Sequence, residues 1–132
     1  MIRQAAFAIA GLCGLATPSL ATEWVNCAAP DGAATFDFLA GTTDVLAIVG
    51  LNISAGEQAW ASSAAYGPGE PVIVGQAYED DQVVLVDAVD EAVTEKIAEL
   101  RLFRTTENDQ TVLGGTLRIP GHGAWPVSCT GP

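Results

Sequence analysis

Short runs in which apolar and polar residues alternate recur along the chain, and they predict β-strands. In residues 34–39, Phe36 and Phe38 alternate with polar residues, which is typical of a strand with one buried face. Residues 45–53 form a β-branched apolar run that suits a buried strand. A shorter strand is predicted for residues 58–62. The first half of the chain therefore indicates a structure built from several short strands.

Two further pairs of runs are separated by short polar segments and predict β-hairpins. The first hairpin joins residues 72–78 to residues 83–86 through an acidic tip at residues 79–82. The second lies on either side of the polar loop at residues 106–110. Residues 125–129 form the last predicted strand. Hairpins of this kind favour an antiparallel sheet.

One segment, residues 90–98, predicts a short helix instead. Asp90 can cap its N-terminus, and Val93, Ile97 and Leu100 fall on one face at helical spacing. Elsewhere turn signals recur about every ten residues. We therefore expect an all-β fold, a small antiparallel barrel or sandwich of about seven or eight strands, with one short helix near residues 90–98.

Aromatic residues supply much of the bulk for the predicted core. Their side chains are large and apolar, so a small domain needs only a few of them to fill its interior. We expect six aromatic residues in the core: Trp24, Phe36, Phe38, Trp60, Phe103 and Trp125.

Residues 1–21 differ from the rest of the chain and predict a secretory signal peptide. Arg3 precedes an apolar run at residues 5–16, and small residues ending at Ala21 follow. The run is shorter than the roughly 20 apolar residues that a membrane-spanning helix needs, and no later segment is long enough either. Cleavage after Ala21 would leave residues 22–132 as a single exported domain, periplasmic or secreted.

The chain has three cysteines. Cys27 and Cys129 lie near the two ends of the predicted domain, and an oxidising compartment allows them to form a disulfide. A catalytic or metal-binding role is disfavoured, because there is no C-x-x-C spacing and only one histidine. Cys13 lies inside the predicted signal peptide. Lipid attachment there is the alternative, but lipoprotein signals place a small residue before the modified cysteine, and Leu12 stands at that position.

Acidic residues greatly outnumber basic ones. The chain has 16 Asp and Glu against 5 Lys and Arg, a formal net charge of −11. Such a surface repels nucleic acid and anionic lipid, and it attracts cations and basic proteins. Hydrophobic residues make up 49% of the chain, which excludes a disordered polyelectrolyte. The single lysine and the many Ala, Gly and Val residues are typical of a GC-rich bacterial gene.

The only histidine, His122, is flanked by glycines, which favours an exposed position. A catalytic histidine also needs a nucleophile and an orienting acid, and no G-x-S-x-G nucleophile motif is present. We therefore predict no catalytic residue. A small hydrolase that uses His122 with an acid such as Asp87 or Asp90 is the alternative.

The acidic tip at residues 79–81 offers the oxygen ligands that calcium prefers. The EF-hand spacing and the glycine that sharpens such loops are missing, so a solvated hairpin tip is favoured and calcium binding there stays open. We predict no metal site and no cofactor.

One short segment resembles a known recognition loop. Residues 62–66 have the sequence Ser-Ser-Ala-Ala-Tyr and lead into the Gly- and Pro-rich loop at residues 67–71. This segment resembles the S-G-x-x-Y loop of the periplasmic C-type lysozyme inhibitors, which are small, exported, disulfide-linked β-barrels. In that family the serine and the tyrosine enter the lysozyme cleft, so the resemblance implies Ser62 and Tyr66 as binding residues. Ser63 stands where the family has glycine, and the family's downstream Trp-Thr-Lys-Gly-like segment is absent.

We therefore expect a non-enzymatic, exported, acidic binding domain of the cell envelope. Its most specific form is an inhibitor of a basic hydrolase such as a lysozyme, because opposite charge steers association. That form places Ser62 and Tyr66 at an exposed loop tip beside an acidic surface. The alternatives are a structural accessory subunit of an envelope complex and the small hydrolase that uses His122.

Overall fold

The computed structural model of the protein describes residue 14, residues 22–41 and residues 43–131. Within these ranges no helix is long and apolar enough to cross a membrane. The predicted signal peptide at residues 1–21, except for residue 14, and the lipid-attachment alternative at Cys13 lie outside the described residues. A 3₁₀ turn covers Pro30–Gly32, and the described part contains ten strands: β1 (Glu23–Ala28), β2 (Ala34–Gly41), β3 (Ala47–Ala55), β4 (Gln58–Ala61), β5 (Glu70–Pro71), β6 (Ile73–Glu79), β7 (Val83–Val89), β8 (Lys96–Glu107), β9 (Gln110–Ile119) and β10 (Gly123–Thr130).

The strands form one sheet in the order β5-β4-β3-β2-β1-β10-β9-β8-β7-β6. All neighbours are antiparallel except β4 and β5. Only Val72 separates β5 from β6; it is buried, and its N–H donates to the Ala61 carbonyl oxygen at 3.2 Å. Residues 70–79 thus pair first with β4 and then with β7, which brings the two ends of the sheet together.

The sheet is therefore nearly closed into a barrel, and the predicted all-β fold is confirmed. The strand count exceeds the predicted seven or eight, because segments as short as the two-residue β5 also pair. Both predicted hairpins are present, as β6–β7 and β8–β9.

Alternate residues of the strands point into the barrel and form its core. Phe36 and Phe38 of β2 are buried there, as is Trp60 of β4. Full burial of a large apolar side chain stabilises the fold by about 1.5–3 kcal/mol. The largest other side chains that are fully buried are Leu51, Ile53, Leu100, Leu102, Leu117 and Ile119.

Of the six aromatic residues expected in the core, two lie outside it and a third lies at its edge. Phe103 is 68% exposed, because Leu102 points into the barrel and alternation turns Phe103 outward. Trp24 is half-buried on the outer face for the same reason, since Val25 points inward. Trp125 is half-buried and packs against the edge of the core.

The predicted disulfide is present and joins the first strand to the last. Cys27 of β1 lies directly opposite Cys129 of β10, with 4.0 Å between their Cα atoms and 102 residues between them in sequence. Cys27 has no solvent-exposed surface. Disulfides of this kind persist in oxidising compartments.

The helix predicted at residues 90–98 is wrong. This segment is a turn followed by the start of β8 at Lys96. The Asp90 carboxylate accepts hydrogen bonds from the backbone N–H groups of Thr94 (2.7 Å) and Glu95 (2.8 Å), so it closes a loop instead of capping a helix. Val93 has a φ of +56°, which a right-handed helix excludes. Pairing of β8 with two neighbours outweighs the small stability of a nine-residue helix.

Candidate functional site

The first candidate residue, Ser62, follows β4 and is tied to β3. Its N–H donates to the Leu51 carbonyl oxygen at 3.0 Å, and its hydroxyl oxygen accepts from the Leu51 N–H at 2.9 Å. Ser62 is half-buried. Its polar groups therefore extend the pairing of this edge of the sheet.

The second candidate residue, Tyr66, lies against the outer face of the barrel. Its ring packs edge-to-face on Trp24, with 5.7 Å between centroids, and lies so close over Gly50 that a Cβ there would be 3.0 Å from the ring. The side-chain amide of Asn52 donates to the Tyr66 carbonyl oxygen at 2.5 Å. Both candidates are thus half-buried instead of standing at an exposed tip, where residues 63–65 lie. That Ser62 and Tyr66 bind a partner stays a prediction.

A carboxylate that sequence reasoning missed lies on the same outer face. Asp37 of β2 is opposite Asn26 on one side and Asn52 on the other. Burial raises the pKa of Asp37 to about 6, and the backbone N–H of Cys27 opposes this rise in part. Alternation marked Asp37 as outward-facing, but the sequence has no signal for the partial burial of this position.

The variant D37N is expected to be more stable than the parent at pH 7. Asp37 binds its proton more tightly in the folded than in the unfolded chain, so its ionisation removes stability as pH rises from about 4 to about 6. The shift corresponds to about 3 kcal/mol, and partial solvent exposure reduces the expected gain to about 1–2 kcal/mol.

Urea unfolding of D37N and the parent at pH 4 and pH 7 measures this effect. We expect a difference at pH 7 that disappears at pH 4. The matched variant E107Q, at an exposed carboxylate, should show no such pH dependence. Equal stability of D37N and the parent at both pH values would contradict the burial of this carboxylate.

One end of the barrel carries the turns at residues 56–57, 90–95 and 120–122, and we call it the His122 end. A large groove lies there. The groove has a volume of about 800 Å³. The exposed His122 ring packs edge-to-face on the buried Trp60, with 5.2 Å between centroids. The groove is lined by Gln58, Trp60, Glu70, Glu95, Lys96, Ile97, Glu99, Arg118, Ile119, Pro120 and His122.

The charges in this groove are unevenly compensated. Glu99 accepts hydrogen bonds from both Lys96 (2.8 Å) and Arg118 (3.2 Å). The bond from Lys96 is the main reason that the pKa of Glu99 lies below its usual range. Glu70 and Glu95 are exposed, and neither forms an ion pair with another described residue. Two carboxylates of the groove thus face solvent without a cation of their own.

The acids proposed to work with His122 lie outside this groove. Asp87 is 4% exposed and forms ion pairs with Arg101 (2.7 Å) and Lys96 (3.5 Å). Asp90 closes the turn before β8. Among the described residues, no side chain forms a hydrogen bond with the His122 ring. The structure therefore brings His122 together with Glu70, Glu95 and Glu99, a set that sequence spacing did not indicate.

A smaller cavity of about 210 Å³ lies at the opposite end of the barrel, which we call the Arg104 end. Its wall includes Val25, Phe38 and Leu113, and its rim includes Arg104. Arg104 donates to the Asp80 carbonyl oxygen at 2.8 Å and to the Glu79 carboxylate at 3.1 Å. These bonds fix the guanidinium to the β6–β7 hairpin.

The acidic tip of that hairpin uses its central carboxylate to form the turn. Asp80 accepts hydrogen bonds from the N–H groups of Gln82 and Val83, both at 2.8 Å, and from the Tyr78 hydroxyl at 3.1 Å. The Gln82 N–H is the largest reason that the pKa of Asp80 is lowered. In the described ranges no three or more His, Cys, Asp or Glu side chains are grouped so that they could hold a metal ion.

All basic side chains of the described ranges are paired with the chain's own carboxylates. Lys96 and Arg101 pair with Asp87, Arg104 pairs with Glu79, and Lys96 and Arg118 pair with Glu99. All four cations lie on β8 or β9. The remaining carboxylates give the molecule its excess negative charge.

The chain matches no protein-family model, no curated protein and no solved structure.

Proposed function

We propose that the protein is a non-enzymatic, exported, acidic binding domain of the cell envelope that recognises a basic protein. The observation that supports this most is the pairing of every Lys and Arg in the described ranges with a carboxylate of the same chain. These four cations share three carboxylates, so 13 of the 16 Asp and Glu side chains form no ion pair in the described ranges and carry the excess negative charge.

An excess of one charge steers association with a partner of opposite charge and raises the rate of encounter. A small domain that works outside the cell also needs a scaffold that resists unfolding. The disulfide between β1 and β10 supplies one, and it supports a periplasmic or secreted location together with the predicted signal peptide.

The most specific form of this proposal is an inhibitor of a lysozyme-type hydrolase. Lysozymes are basic and act on the cell wall, so their charge is opposite to that of this protein and they act where an exported protein would be found. The resemblance of residues 62–66 to the inhibitor loop supports this form as well. Since Tyr66 and Ser62 contact the sheet, residues 63–65 are the part of the loop that a partner would meet first.

The proposal is tested by adding the purified protein to a lysozyme that is digesting a cell-wall suspension. We expect slower clearing at low salt and recovery of the rate at high salt, because salt screens charge-driven association. If no lysozyme-type enzyme is slowed, the inhibitor form is wrong. If, in addition, the immobilised protein retains no basic protein at low salt, the wider proposal is wrong too.

A structural accessory subunit of an envelope complex is the second candidate, because an apolar pair lies on the outer face of β8 and β9. Phe103 is 68% exposed and Val112 is 62% exposed, and the strand register places them as diagonal neighbours. Exposed apolar groups of this kind mark interaction surfaces. Capture of an envelope protein by the parent but not by F103S would favour this candidate.

A further inference from the structure

The groove at the His122 end is a concave surface of a size suited to a short segment of another protein. Its volume of about 800 Å³ lies within the range of about 300–1,000 Å³ that is typical of ligand sites, and barrel mouths are a common place for them. Glu70 of β5 and Glu95, just before β8, both line it. Two distant parts of the chain therefore bring carboxylates to one concavity.

The charge of this groove favours a cation. Lys96 and Arg118 also line the groove, but Arg118 is paired with Glu99, and Lys96 is paired with both Glu99 and Asp87. Glu70 and Glu95 have no such partner among the described residues and are exposed. The lining carries three Glu against one Lys and one Arg, a formal charge of −1, so a basic side chain that enters the groove would meet two carboxylates that have no ion pair of their own.

The aromatic pair in the groove favours arginine over lysine. The His122 ring is exposed and packs edge-to-face on Trp60, so it presents an aromatic surface to the groove. A guanidinium group is planar, stacks on aromatic rings and forms paired hydrogen bonds with a carboxylate, whereas the ammonium group of lysine is a strongly hydrated point charge.

The other candidate surfaces suit a cation less well. The cavity at the Arg104 end is about a quarter as large and has Arg104 on its rim. The loop at residues 62–66 exposes only a serine and two alanines between its half-buried ends, Ser62 and Tyr66.

We infer that the groove at the His122 end is where the basic partner docks, with an arginine side chain between Glu70 and Glu95 and against His122. This inference rests on the proposed function, because it names the site at which the basic partner is held.

The probes are two acetylated pentapeptides, Gly-Arg-Gly-Arg-Gly and Gly-Lys-Gly-Lys-Gly, each titrated into isotope-labelled protein at low salt and followed by amide and indole NMR shifts. We expect the shift changes to cluster at Trp60, Ile97 and His122, and the arginine peptide to bind more tightly. The double variant E70Q/E95Q should bind the arginine peptide about tenfold more weakly, the sum expected for two partly exposed ion pairs.

The matched control is E23Q/E107Q, which removes the same charge from two exposed carboxylates at the Arg104 end. It should change binding by no more than about twofold, as expected for distant screened charges. H122A should reduce the preference for arginine over lysine and leave the lysine peptide unaffected. The amide spectrum of each variant shows whether it is folded.

Equal binding by E70Q/E95Q and E23Q/E107Q would overturn the inference, as would shift changes located at residues 62–66 or at the Arg104 end, or none at all. The peptides report on the groove whether or not a lysozyme is inhibited. If E70Q/E95Q inhibits a lysozyme as strongly as the parent does, the proposed function therefore stands and the inferred site is wrong. If the peptides bind in the groove but the protein inhibits no lysozyme, the inferred site stands and the inhibitor form of the proposal is wrong.

Discussion

Replacing both disulfide cysteines in the variant C27A/C129A is expected to lower the free energy of unfolding by about 4 kcal/mol. The disulfide encloses 102 residues, and loop-closure entropy for about 100 residues corresponds to about 4.7 kcal/mol. It also joins β1 to β10, the hydrogen-bonded pair at the middle of the strand order. Typical domains have a free energy of unfolding of roughly 5–15 kcal/mol, so the expected loss is a large fraction of the total.

Urea unfolding followed by circular dichroism measures this loss. The parent protein treated with a reductant is the matched control, and its midpoint should agree with that of the double variant. A double variant that unfolds within about 1 kcal/mol of the oxidised parent would show that β1–β10 pairing holds the barrel without the cross-link.

The substitution G115A is expected to destabilise the protein by at least about 3 kcal/mol or to prevent folding. Gly115 of β9 lies between β8 and β10, opposite Leu102 and Val127. A Cβ at this position would be 1.9 Å from the Arg101 carbonyl oxygen, and that atom belongs to the backbone of β8. Because a strand paired on both sides cannot move away, relief of this contact requires a break in the sheet.

The matched control is G41A, because a Cβ at Gly41 would lie 3.7 Å from its nearest neighbour, an ordinary contact distance. G41A should change the free energy of unfolding by about 0.5 kcal/mol or less. Both variants are compared by urea unfolding and by yield of folded protein. If G115A and G41A have the same free energy of unfolding, the close approach of the β8 backbone to Gly115 is contradicted.

The sequence was sufficient to predict the parts of the fold that depend on local alternation. Phe36 and Phe38 point inward as their spacing predicts, and the two cysteines are opposite each other on the first and last strands. The closure of the barrel was not predictable, because it depends on Val72 ending one pairing and starting another within residues 70–79. No local pattern encodes a change of partner strand.

The helix expected at residues 90–98 shows why local signals fail elsewhere. An aspartate that accepts backbone N–H bonds is equally suited to a helix N-terminus and to a tight loop. Asp90 forms the loop, because extended residues from Lys96 onward can pair with both β7 and β9. The sequence of the turn alone therefore does not determine whether a helix or a loop forms, because strand pairing elsewhere decides it.

The candidate site was the least predictable part. Residues 62–66 resemble a recognition loop, yet Tyr66 packs over Gly50 and against Trp24, which are distant in the sequence. The groove combines Glu70, Glu95 and His122, which are brought together only by the barrel. The sequence showed the excess of acids, whereas the pairing of every described cation is a property of the folded β8–β9 region.

Calorimetric titration of a lysozyme with the purified protein at two ionic strengths tests most directly whether the excess negative charge serves recognition of a basic partner. The Debye length shortens from about 30 Å at 0.01 M salt to about 8 Å at 0.15 M, so charge-driven binding must weaken over this range. We predict binding at low salt and at least a roughly tenfold weaker affinity at 0.15 M. Absence of binding at low salt, or an affinity that salt leaves unchanged, would contradict the account.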